Sequence, residues 1–200
     1  DEAIEQGFVG VCVNPIHVRR AADRLAKARV VTRLVAAVGF PLGATRTDTK
    51  TDEARRALND GATDIDVVAA IGALVAGDRL AVRREIEALA RVVHQSPGGC
   101  ILKVILETTA LTTDQIILGC RCCAEGEADF VKTSTGFHPS GGATVEHVRL
   151  LHRHASPIPV KASGGIRTAA AAIALLDAGA TRLGTSAGVA ILRELGSVST

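Results

Sequence analysis

Seven times along this chain a short apolar run gives way to a longer stretch with apolar residues at helical spacing. The runs are VGVCVNP (9–15), RLVAAVGFP (33–41), DIDVVA (64–69), CILKVILET (100–108), ADFVKTST (128–135), IPVKASG (158–164) and TRLGTSAG (181–188). The stretches 16–28, 51–62, 78–95, 112–127, 144–155, 168–179 and the short 189–195 read as helices, with Thr51 the expected N-cap of the second. Strands that are apolar throughout, each followed by a helix, specify a parallel sheet with helical crossovers.

Two closures of such a sheet compete. A doubly wound sheet wants a glycine-rich dinucleotide turn after its first strand, and VCVNPIH contains no glycine. A (β/α)8 barrel wants eight units and about 250 residues, with roughly 200 near its lower limit. The chain has 200 residues, no methionine, and an opening DEAIEQGF that reads as the tail of a helix. We therefore expect an α/β fold, a TIM barrel in one domain spanning 1–200. Its first strand and most of its first helix would lie ahead of Asp1.

Composition narrows the function. The net charge is +2 with no basic block, which argues against nucleic acid or an anionic membrane surface as partner. No apolar run approaches the roughly 20 residues of a membrane span, and no signal-peptide pattern is present. The five cysteines, Cys12, Cys100, Cys120, Cys122 and Cys123, are an odd number and fit a reduced, cytoplasmic setting better than a disulfide framework. Cys120, Cys122 and Cys123 fall in an expected helix without a second pair at ligand spacing. The six histidines show no HExxH spacing. We expect no metal site.

Lysine usage points to chemistry. Of 23 basic residues only five are lysines, and three of these, Lys103, Lys132 and Lys161, lie inside the apolar strands ILKVILET, DFVKTSTG and IPVKASGG. Arginine stays protonated at any useful pH, whereas a buried lysine can lose its proton and act as an amine. Asp64 and Asp66, two apart, share one face of the preceding strand. Four consecutive strands thus offer carboxylate and amines at spacings of roughly 5 Å. Two lysines on adjacent strands suit Schiff-base catalysis, one attacking while its neighbour keeps it neutral and relays protons. The bland alternative is a structural Lys–Asp network with ammonium heads reaching water.

The last two strands end in ASGGIR (162–167) and GTSAG (184–188), each glycine-rich and each leading into a helix. Backbone N–H groups at such turns bind phosphate, and the loops after barrel strands seven and eight are the usual place.

The segments GVCVNP, VGFPLGAT, EARRALNDGATDIDVV, LKVILET, ADFVKTSTGF, VKASGGIRT and TRLGTSAG, in order over about residues 3 to 188, resemble the bacterial deoxyribose-phosphate aldolases. The resemblance implies a class I aldolase barrel without metal or organic cofactor. It would cleave 2-deoxy-D-ribose 5-phosphate reversibly to D-glyceraldehyde 3-phosphate and acetaldehyde. Carried onto this chain, Lys132 would form the Schiff base, Lys161 would hold it neutral, and Asp66 would be the proton-transfer partner. Lys103 and Cys12 would lie close to the substrate. Thr135, Gly136, Gly164, Gly165, Gly184 and Ser186 would hold the phosphate and sugar hydroxyls. The family's opening IDHTLL-like segment is absent. So is the C-terminal tyrosine of some members, and Ala187 stands where some have a second serine. The partner is then a small phosphorylated sugar, and analogy with other barrels allows a homodimer. A different Schiff-base sugar-phosphate aldolase and a non-catalytic sugar-phosphate-binding barrel remain as alternatives.

Overall fold

The computed structural model describes residues 1–198. Each of the seven apolar runs forms a strand: β1 (Gly10–Val13), β2 (Arg33–Val38), β3 (Asp64–Val68), β4 (Ile101–Ile105), β5 (Phe130–Lys132), β6 (Val160–Ser163) and β7 (Ala180–Gly184). They pair in sequence order, all parallel. Residues of β2 to β6 are almost all buried, as strands covered on both faces must be. Among the described residues β1 and β7 each pair on one side only, and both are partly open.

The sheet curls strongly. Neighbouring parallel strands lie about 4.8 Å apart, so a flat sheet would hold β3 and β6 about 14 Å apart. Yet Lys161 on β6 reaches Asp66 on β3 at 2.6 Å, and Arg182 on β7 reaches Asp64 at 3.5 Å. Only side chains converging inside a curve make such contacts.

Helices α1 (Glu2–Glu5), α2 (Val18–Ala28), α3 (Thr47–Asn59), α4 (Ile71–Val75), α5 (Arg79–His94), α6 (Thr113–Glu125), α7 (Val145–Ala155), α8 (Ala169–Asp177) and α9 (Gly188–Val198) cover the outer face. Their starts follow the expected chemistry. Asp78, Thr144 and Thr168 accept backbone N–H bonds at the caps, and Thr112 with Gln115 completes a capping box. The core packs Leu34, Ile65, Leu102, Val104 and Val131 of the strands against Ile86, Leu89, Ile116, Val148 and Leu151 of the helices. Cys120, Cys122 and Cys123 are buried in α6, and burial pushes the Cys120 thiol up to about 12.

Two expectations need correction. α3 begins four residues before Thr51, with Arg46 in the cap position and Asp48 in the first turn. The extra turn carries Lys50 inward, where its ammonium donates to Val68 O at 2.8 Å and to Glu85 of α5 at 2.9 Å. Tertiary pairing, not the local cap, sets that boundary. The short helix α4 was not anticipated. It turns its own Leu74 into the core, where that side chain is fully buried.

Candidate active site

Two tiers of charge fill the inside of the curled sheet. β3 supplies both carboxylates, because Asp64 and Asp66 alternate to the same face with Ile65 between them turned outward into the helix-facing core. In the lower tier Asp64 pairs with Arg33 of β2, Lys103 of β4 and Arg182 of β7. In the upper tier Asp66 meets Lys103 at 3.1 Å, Lys132 at 2.8 Å and Lys161 at 2.6 Å. Lys132 and Lys161 sit opposite one another in the β5–β6 ladder and donate to the same oxygen, Asp66 Oδ2. Five cations, Arg33, Arg182, Lys103, Lys132 and Lys161, thus face two carboxylates.

Exposure separates the lysines. Lys103, Asp64 and Asp66 are fully enclosed, while Lys132 and Lys161 keep 6% and 5% of their surface. Of the three strand lysines these two are the ones not wholly enclosed. Burial alone pushes the Asp66 carboxyl up, but the ammonium groups of Lys132, Lys161 and Lys103 outweigh it and hold the group well below the usual carboxylate range. Burial pushes the Lys161 ammonium down, with Lys132 and Lys103 adding to the effect against the pull of Asp66. Cys12 has an open surface on the edge strand β1, yet protein crowds its inner side. The lost water pushes its thiol up, Asp66 adding to this and the lysines opposing it.

The loops after the strands form the rim. Gly136, Gly142 and Gly164 bring the β5–α7 and β6–α8 loops into backbone contact. A Cβ on Gly164, whose φ is +92°, would lie 3.0 Å from Gly142 Cα and 3.1 Å from Gly136 Cα. Glycine is required there by packing and by backbone conformation alike. The two glycine-rich turns lie side by side, tied by a Thr185 hydroxyl donating to Ile166 O at 2.6 Å. Gly165 and Ser186 are exposed in them. A Cβ on Gly184 would come within 3.1 Å of Lys161 Cε, so this glycine leaves room for that lysine. Thr135 is half-buried, and its hydroxyl donates to Glu107.

Sequence reasoning missed Arg33, Arg182 and Glu107. The first two carry the signal that picked out the lysines, a charge inside an apolar strand. Glu107 has none, because the residue after a strand is ordinarily polar. Among the described residues no cluster of three or more His, Cys, Asp or Glu is placed to hold a metal ion, and no helix is long and apolar enough to cross a membrane.

Comparison with known proteins agrees with this architecture. A family model described as DeoC/LacD family aldolase matches residues 1–195. A deoxyribose-phosphate aldolase of Thermococcus gammatolerans is 50% identical over 193 residues, covering 96% of this chain and 84% of the relative. One from Brevibacillus brevis is 46% identical over 192 residues, covering 96% and 84%. Among solved structures, the deoxyribose phosphate aldolase of Aeropyrum pernix, described as a tetramer, superposes with a TM-score of 0.89 at 33% identity, covering 98% of this chain and 81% of that one.

Proposed function

The chain belongs to the DeoC/LacD family of aldolases, and from that premise we propose that it cleaves 2-deoxy-D-ribose 5-phosphate reversibly through an imine on Lys132. The observation that carries the assignment is the pair of nearly buried amines, Lys132 and Lys161, on one oxygen of Asp66. Neutral Lys132 attacks the C1 aldehyde, and loss of water gives the iminium. The C3 hydroxyl then gives up its proton, the C2–C3 bond breaks, and its electrons pass into the iminium to form an enamine. D-Glyceraldehyde 3-phosphate leaves. Protonation at C2 and hydrolysis release acetaldehyde and free Lys132.

The other residues take supporting roles in this reading. Asp66 stays ionised, so it aligns the two amines rather than storing a proton. Lys161, whose ammonium burial pushes below its ordinary value, gives up its proton more readily than a free lysine and is the proposed proton relay. Lys103, close to the substrate and fully enclosed, acts through Asp64 and Asp66. Cys12 lines the β1 side. Thr135 and Gly136 contact the sugar, and Gly164, Gly165, Gly184 and Ser186 receive the phosphate at the paired turns. We read the seven strands as strands two to eight of a (β/α)8 barrel in a single domain. The five free thiols favour a cytoplasmic setting. A homodimer is proposed by analogy with other barrels.

The test is release of acetaldehyde from 2-deoxyribose 5-phosphate by the wild-type protein and by Lys132→Arg. The variant should lose about 10⁴-fold or more, the scale on which removing a covalent nucleophile acts. Retained turnover would refute the imine. Turnover of only another phosphorylated sugar would move the substrate assignment and leave the chemistry standing.

A further inference from the structure

Glu107 is the oddest residue at the rim. It follows β4 with φ +57° and ψ +60°, a left-handed conformation that a residue with a long side chain seldom adopts. It is 1% exposed, and among the described residues no cation pairs with its carboxylate. Buried carboxylates ordinarily have such a partner. Both oxygens of Glu107 point instead at one residue, Thr135, whose backbone N–H lies 3.2 Å from Oε2 and 3.4 Å from Oε1 and whose hydroxyl donates to Oε2. The same hydroxyl oxygen accepts the Phe137 N–H at 3.1 Å.

A hydroxyl has one proton and two lone pairs. The Thr135 proton is committed to Glu107 and one lone pair to Phe137. What remains is a single lone pair, so Thr135 can accept a hydrogen bond but cannot donate one. A phosphate dianion offers only acceptors and gains nothing from such a group. A sugar hydroxyl offers a proton and does. Resting on the aldolase reading above, we infer that Glu107 is a positioning residue that fixes Thr135 as an acceptor for a substrate hydroxyl. The anion is left to the glycine-rich turns. The strained backbone of Glu107 aims its carboxylate at the loop that follows Lys132, three residues before Thr135.

The experiment compares two substrates on Glu107→Gln, Glu107→Ala and Thr135→Val. Acetaldehyde forms an imine and carries no hydroxyl. 2-Deoxyribose 5-phosphate needs both. Glu107→Gln keeps the side chain's shape and an amide oxygen able to take both bonds now made to Oε2, whereas Glu107→Ala removes that acceptor and frees the Thr135 proton. Glu107→Ala and Glu107→Gln should trap acetaldehyde with borohydride at wild-type levels. Glu107→Ala and Thr135→Val should lose about 3- to 10-fold in kcat/KM on the sugar phosphate, the effect of one hydrogen bond between neutral groups, and Glu107→Gln should lose less. Unphosphorylated 2-deoxyribose should show the same loss, and Glu107→Ala combined with Thr135→Val should add little to either alone. Wild-type kcat/KM in Glu107→Ala would overturn the inference. So would a loss that disappears with unphosphorylated sugar, since the pair would then serve the phosphate, or an equal loss of acetaldehyde trapping, since Glu107 would then only hold the rim together. Failure of the wild-type protein to trap acetaldehyde would instead sink the aldolase reading and this inference with it.

Discussion

Lysine is buried in two regions of this molecule, and the two are built differently. In the helix layer Lys50 of α3 meets Glu85 of α5. One cation faces one carboxylate, and the spare valences are filled by backbone, Val68 O for the ammonium and Ala70 N–H for the carboxylate. Inside the sheet three lysines and two arginines crowd Asp64 and Asp66. The first arrangement is balanced and closed. The second has surplus positive charge, so removing a proton from one amine relieves its neighbours. Burial of a lysine is therefore no sign of amine chemistry. An excess of buried cations over carboxylates is.

The largest effect expected from breaking this contrast is at Asp66. Asp66→Asn removes the carboxylate that three ammonium groups share. Turnover should fall by about 10³-fold or more, and the fold should lose about 3–5 kcal/mol in urea unfolding, as for other buried pairs stripped of one partner. Lys50→Met should cost the same 3–5 kcal/mol yet leave kcat per folded molecule unchanged. A kcat change there would mean that the two regions are coupled. The double variant Lys50→Met/Glu85→Gln should recover to within about 1–2 kcal/mol of wild type, because a neutral pair leaves no buried charge and the amide oxygen introduced by Glu85→Gln can still accept from Ala70 N–H.

The pH response sharpens the comparison further. Lys161 titrates below its ordinary value of 10.5 in the folded chain. Below the lowered value it is charged in both folded and unfolded chains, and the cost of burying the charge is felt in full. Above 10.5 it is neutral in both, and the cost is gone. Its contribution to stability therefore rises with pH across the interval between the two values. Asp66 changes stability in the same direction but in acid. Its stabilisation is complete above the ordinary 3.8 and is lost progressively as pH falls below that toward the depressed folded value. Urea midpoints should accordingly rise for wild type relative to Lys161→Met as pH climbs toward 10.5. A flat difference would contradict the depressed lysine. The smallest effect is at the edge of the lower tier, where Arg182 stacks over Phe130 at 4.8 Å. Phe130→Leu should cost about 0.5–1 kcal/mol.

Much of this is legible in the sequence alone. All seven strands and the inward lysines follow from apolar runs interrupted by charge, because a strand buried on both faces tolerates few residue types. Capping residues mark the starts of α5 to α8. What escapes depends on contacts distant in sequence. Lys50 lies in the polar stretch TDTK, and only Glu85, 35 residues on, reveals that it is buried. The start of α3 is set by that pairing, which local capping preference does not see. Glu107 looks like an ordinary polar residue after a strand, and its backbone conformation and its hold on Thr135, 28 residues away, exist only in the folded chain. Arg33 and Arg182 are easily passed over because arginine elsewhere in the chain serves the surface.

The most direct test of the central claim is borohydride reduction of the protein in the presence of 2-deoxyribose 5-phosphate, with peptide mass mapping across all five lysines. The account predicts a two-carbon or five-carbon adduct on Lys132 and none on Lys50. An adduct on Lys161 or Lys103 instead, or none on protein shown to be folded by circular dichroism, would contradict it.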